Sequence, residues 1–99
     1  MTIWFVSRHA GAIAWAKGQN LPVDRWVAHL DARQVTAGDT VIGTLPVHIA
    51  ADICARGARF FFLELHLELN QRGMELTESD MLKANCSVKE YFVRPASGN

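Results

Sequence analysis

The sequence predicts one α/β domain, a mostly parallel sheet with helices on both faces, and three observations carry that expectation. Runs of β-branched and aromatic residues alternate with short helical stretches at the spacing of strand–helix–strand units. The run Phe60-Phe61-Phe62 is continuous rather than alternating, which suits a strand covered on both faces. The chain has 99 residues, 49% hydrophobic and 20% charged, enough for a single core but not for two.

Residues 2–7 (Thr-Ile-Trp-Phe-Val-Ser) form the first expected strand, because β-branched and aromatic side chains pack well on a pleated surface. Arg8-His9-Ala10-Gly11 then turns the chain into a helix over residues 12–17 that stops at Gly18. Leu21-Pro22-Val23 brings the chain back. Residues 25–30 read as a second strand whose end delivers His29 and Asp31, and residues 31–36 as a short connector. The turn Ala37-Gly38-Asp39 launches a third strand, Thr40-Val41-Ile42, and Gly43-Thr44-Leu45 leads into a helix over residues 46–56. Pro46 in its first turn and Gly57 just past its end give the expected start and stop asymmetry. Residues 59–63 make a fourth strand, and the alternation over residues 64–69 either extends it or belongs to an edge. Residues 70–73 are polar. Thr77 with Asp80 marks a helix over residues 78–84, and residues 87–94 alternate as a last strand. The domain therefore spans residues 1–94, with residues 95–99 a flexible tail, and its architecture is a minimal Rossmann-like one built on right-handed crossovers.

Composition removes several classes of function. Ten basic residues balance ten acidic ones for a net charge of +0, so no general positive field holds long nucleic acid, and any phosphate ligand must be gripped locally. Cys54 and Cys86 allow one bridge at most, and no basic segment precedes the N-terminal apolar stretch; a reduced, cytoplasmic protein is expected. The apolar runs fall far short of the roughly 18 residues of a membrane span. Four His and two Cys show no closely spaced ligand pair, and no Gly-rich nucleotide loop occurs, so neither metal nor cofactor is expected. A domain this small buries only roughly 60–65% of its unfolded surface, and five Phe with three Trp suggest spare apolar area that a homodimer would cover.

Ligands of open α/β sheets gather beyond the carboxyl ends of the strands. There the sequence puts Ser7-Arg8-His9, then His29 and Asp31, then Gly43-Thr44-Leu45-Pro46 with His48 behind. The first and third of these turns also open helices, whose free N–H groups and positive dipole end attract anions. Ser7 either caps the first helix or positions a substrate, and Thr44 is likewise a cap or a phosphate donor. Arg8 is read as an anion contact, and His9 as a general acid, base or donor. His29 reads as a satisfied core residue, and His48 and His66 as surface ones. Trp4, Trp15 and Trp26 read mainly as core, with stacking on a base as the other use of one of them. The candidate catalytic residues are thus Ser7, Arg8 and His9, and the candidate substrate contacts are Ala10, Gly11, Asp31, Gly43, Thr44, Leu45 and Pro46.

Four segments taken together resemble a known family: Phe5-Val6-Ser7-Arg8-His9-Ala10-Gly11-Ala12, Ala28-His29-Leu30-Asp31, Gly38-Asp39-Thr40-Val41-Ile42-Gly43-Thr44-Leu45-Pro46-Val47 and Cys54-Ala55-Arg56-Gly57-Ala58-Arg59. Over roughly residues 3–76 their order and spacing are similar to a small stand-alone CRISPR-associated family found with type III systems. The resemblance implies a domain related to the CRISPR-associated Rossmann fold (CARF). It also implies a homodimer, and a ring nuclease that cleaves cyclic oligoadenylates, chiefly cyclic tetra-adenylate, to end the defence signal. A non-cleaving protein that sequesters or senses the ring is the alternative. Arg8-His9 after a strand also resembles the start of the Arg-His-Gly triplet of histidine phosphatases, although Ala10 stands where that motif has Gly.

Overall fold

The computed structural model describes residues 1–64 and 86–96. Among these residues the chain order is β1 (Ile3–Val6), α1 (Ala10–Gly18), β2 (Arg25–Val27), a 3₁₀ turn (Ala32–Gln34), β3 (Thr40–Gly43), α2 (Val47–Ala55), β4 (Arg59–Glu64) and β5 (Ser87–Tyr91). The strands form one sheet in the order β2-β1-β3-β4-β5. β1 pairs in parallel with β2 and β3, and β3 with β4, whereas β5 runs antiparallel to β4. This is the anticipated α/β arrangement, compatible with a minimal Rossmann-like fold.

Side chains alternate across each strand, so neighbouring residues feed opposite layers. Trp4, Val6, Val41 and Phe60 pack with Ala50, Ile53 and Cys54 of α2 and with Ala32 and Val35 of the 3₁₀ segment. Phe5, Ile42 and Leu63 pack with Ala12, Trp15 and Ala16 of α1. The aromatic triplet divides accordingly, Phe60 and Phe62 toward α2 and Phe61 toward α1. Burying side chains as fully as Phe5 and Ile53 contributes about 1.5–3 kcal/mol each, which outweighs the weak intrinsic preferences of strands only three to six residues long.

At the amino end of the sheet Asp39 is buried, at 2% exposure, and ties β1 to β3. Its carboxylate accepts from the Thr2 N–H at 2.9 Å, Trp4 Nε1 at 3.2 Å and the Thr36 N–H at 3.1 Å. Burial works to raise its pKa, but the hydrogen bonds from Thr2, Thr36 and Trp4 prevail and hold it down at about 2. At the sheet's far side, Arg59 grips Glu90 through two bonds of 2.8 and 2.9 Å, joining β4 to β5.

Several boundaries differ from the sequence reading. The second strand ends at Val27 rather than residue 30, because the chain bends away and Asp31 caps the 3₁₀ turn. α1 starts at Ala10, two residues early, and α2 starts at Val47, with Pro46 as its N-cap. α2 stops as expected: Gly57 adopts φ +91°, and the N–H groups of Gly57 and Ala58 close onto Cys54 and Ile53. The last strand ends at Tyr91, short of residue 94. The alternation beyond Glu64, the polar residues 70–73, His66 and the helix expected over residues 78–84 lie outside the described residues, as do residues 97–99. Cys54 and Cys86 are free thiols. Among the described residues no helix is long and apolar enough to cross a membrane.

Candidate functional site

The sheet order places a switch point between β1 and β3. From β1 the chain crosses by α1 to β2 on one side, and from β3 it crosses by α2 to β4 on the other. The connections part there and leave a crevice beyond the strand ends. Val6 stands opposite both Val27 and Gly43, so the three strands end level and their following turns emerge side by side.

Gly43 sets how closely β3 approaches β1. Its φ is +145°, and a Cβ on it would stand 2.2 Å from the carbonyl oxygen of Val6. No other residue fits without parting the strands, because the obstacle is backbone.

Those turns enclose a cavity of about 340 Å³. Ser7 and Arg8 enter it from the end of β1, and Thr44, Leu45 and Pro46 from the end of β3. Ala28, His29 and Leu30 close the β2 side, with Val6 and Ile49 as apolar floor. Ser7 is buried; its N–H donates to the Val27 carbonyl at 3.0 Å and its Oγ accepts from the His9 N–H at 3.1 Å. Ser7 therefore shapes the turn without capping the helix, whose N-cap is His9. Thr44 is exposed and does not cap α2 either.

Among the described residues neither α1 nor α2 has a side-chain cap or an acidic residue in its first turn. Their positive dipole ends are left uncompensated beside the cavity. Arg8 is exposed, and among the described residues it takes part in none of the ion pairs. Arg8 and Pro46, the N-cap of α2, meet in this crevice, and α1 starts two residues beyond Arg8, in a chain of zero net charge.

The structure brings together Ser7, Arg8, Thr44, Leu45 and Pro46 but leaves five candidates off the walls of this cavity. His9 and Ala10 are exposed at the start of α1, and Gly11 is buried within it. Gly43 is consumed by strand packing. Asp31 accepts from the Arg33 side chain at 3.0 and 3.1 Å and from its N–H at 3.0 Å, and these bonds hold its carboxyl below the ordinary range. It serves the 3₁₀ turn.

His29, expected in the core, is instead exposed and lines the cavity. The early end of β2 at Val27 puts it there, and no local sequence pattern marks that end. Among the described residues no group of three His, Cys, Asp or Glu side chains is placed to hold a metal ion.

Fold and crevice together define a small α/β protein with a cleft lined by Ser7, Arg8 and Thr44 at the switch point of a mostly parallel sheet. Residues 4–94 match the family described as "Putative CRISPR-associated protein (Cas_VVA1548)". The chain belongs to that CRISPR-associated family. No curated protein and no solved structure matches it.

Proposed function

We propose that this CRISPR-associated protein is a ring nuclease that cleaves cyclic tetra-adenylate without a metal and so switches off type III signalling in the cytoplasm. The observation that carries the reading is the single cavity shared by the Ser7-Arg8 turn and the Thr44-Leu45-Pro46 turn, each of which leads into a helix without a side-chain cap. A cyclic tetranucleotide has two-fold symmetry and four phosphates, so a homodimer offering two such notches across its axis matches it.

The reaction needs no outside nucleophile. A ribose 2′-hydroxyl attacks its own 3′-phosphorus, loses its proton, and expels the 5′-oxygen of the next nucleotide, which gains one. The products are a 2′,3′-cyclic phosphate and a 5′-hydroxyl. Arg8 and the free N–H groups at the starts of α1, near Gly11, and α2, beyond Thr44, take up the charge of the phosphorane. Ser7 holds the turn in place. His29 on the cavity wall and His9 at the start of α1 serve the two proton transfers.

Incubating the protein with cyclic tetra-adenylate in EDTA and identifying the products tests this directly. Linear products ending in 2′,3′-cyclic phosphate are expected. Intact ring recovered from denatured protein would instead make the chain a sponge or sensor, and inorganic phosphate released from monoesters would make it a phosphatase acting through His9.

A further inference from the structure

A second cavity, of about 250 Å³, lies on the other side of the same turn. Ser7, Arg8 and Ala28 line both cavities. The first is floored by Val6 and Ile49 on the α2 side, and the second is walled by Phe5, Ile13 and Trp26 on the α1 side. The ends of β1 and β2 thus separate a hollow of mixed lining from an aromatic one, with Arg8 common to both.

Trp26 is the unusual member. Trp4 and Trp15 are 3% and 6% exposed, whereas Trp26, on the edge strand, is 36% exposed. Its ring lies 5.1 Å from that of Phe5 at an interplanar angle of 45°, and Lys17 Nζ stands 5.1 Å from its centroid. The cavity is therefore an aromatic surface with Arg8 in its wall and Lys17 over the neighbouring indole, and no carboxylate is found among the described residues lining it. An aliphatic occupant would leave those cations without a use. A flat π-system bonded to an anion uses both features, because the base stacks on the indole while its phosphate reaches the cations.

We propose that the Phe5–Ile13–Trp26 cavity is a purine-base subsite, holding the base of the nucleotide whose phosphate is held at Arg8 in the neighbouring cavity. The proposal rests on the nucleotide-cleaving reading above and adds the group that recognises the base. Stacking on Trp26 fixes the ribose relative to Arg8, so the subsite positions the 2′-hydroxyl as well as binding the ring.

With Trp4 and Trp15 buried, Trp26 is the tryptophan most open to acrylamide, and it reports on its own cavity. Adenosine 5′-monophosphate, ribose 5-phosphate and cyclic tetra-adenylate serve as probes, with binding followed by tryptophan fluorescence and by calorimetry. The two adenine compounds are expected to change the emission and protect it from acrylamide, whereas ribose 5-phosphate leaves both unchanged. Trp26→Phe keeps most of the affinity; Trp26→Ala raises Kd for cyclic tetra-adenylate about tenfold or more. Should Trp26→Ala misfold by circular dichroism, quenching of the parent and the affinity of Trp26→Phe decide. A ring that is cleaved by the parent, yet bound equally well by Trp26→Ala and without change in emission, overturns the subsite and spares the nuclease reading. Adenosine monophosphate that protects Trp26 in a protein unable to cut the ring does the reverse.

Discussion

Replacing Gly43 by Ala tests the geometry on which the cleft depends. The added Cβ would stand 2.2 Å from the Val6 carbonyl oxygen and 3.1 and 3.2 Å from the Val6 carbonyl carbon and amide nitrogen. A flexible side chain could swing aside, but Val6 is 4% exposed and paired on both flanks, to Val27 and to residue 43 itself. Holding a non-glycine residue at φ +145° costs about 1–3 kcal/mol. Forcing a methyl into packed surroundings costs about 1–3 kcal/mol more. The sum, about 2–6 kcal/mol, is a large part of the roughly 5–15 kcal/mol by which a domain is stable. Urea unfolding followed by circular dichroism should give a midpoint lower by about 1 M or more, and a melting temperature lower by about 8 °C or more. Thr44→Ala, at the exposed next position, should stay within about 0.5 kcal/mol of the parent. If Gly43→Ala also stays within that margin, the strands can part at no cost, and the close approach of β1 to β3 does not set the cleft.

Three further outcomes follow from the same residues. Arg8→Ala should slow single-turnover cleavage of cyclic tetra-adenylate tenfold or more with an unchanged urea midpoint, since Arg8 is exposed and lines both cavities. His29→Ala should slow the same step by about 10²-fold or more and remove one limb of its pH profile, as expected of a group that moves a proton; His9→Ala is the comparison that apportions the two transfers. Asp39 governs acid stability: its native pKa of about 2 lies below the ordinary 3.8, so its contribution is complete above about pH 4 and is lost as the pH falls toward 2. Asp39→Asn leaves three donors without a charged acceptor and should cost about 1–3 kcal/mol at pH 7, the gap to the parent closing in acid.

Local pattern was sufficient wherever a residue's role depends on its immediate neighbours. The β-branched run before Ser7, the Pro46 and Gly57 pair around α2, and the unbroken Phe60-Phe61-Phe62 each dictate their element through sterics and burial period. Even the position of the cleft follows, because a strand, turn and helix repeated twice puts two helix starts at the carboxyl edge. What local pattern lacks is register. Gly43 reads as a turn glycine, yet its necessity comes from the Val6 carbonyl, 37 positions earlier. His29 reads as core and Asp31 as a substrate contact at the end of one expected strand, but that strand stops at Val27 and the chain bends. One side chain then reaches the cavity while the other is tied to Arg33. Trp26 looks like core by composition and is 36% exposed because β2 lies at the sheet's edge. Charge behaves the same way: a balanced total says nothing about where a single arginine lies, and only the fold sets Arg8 in one cavity with the N-cap of α2.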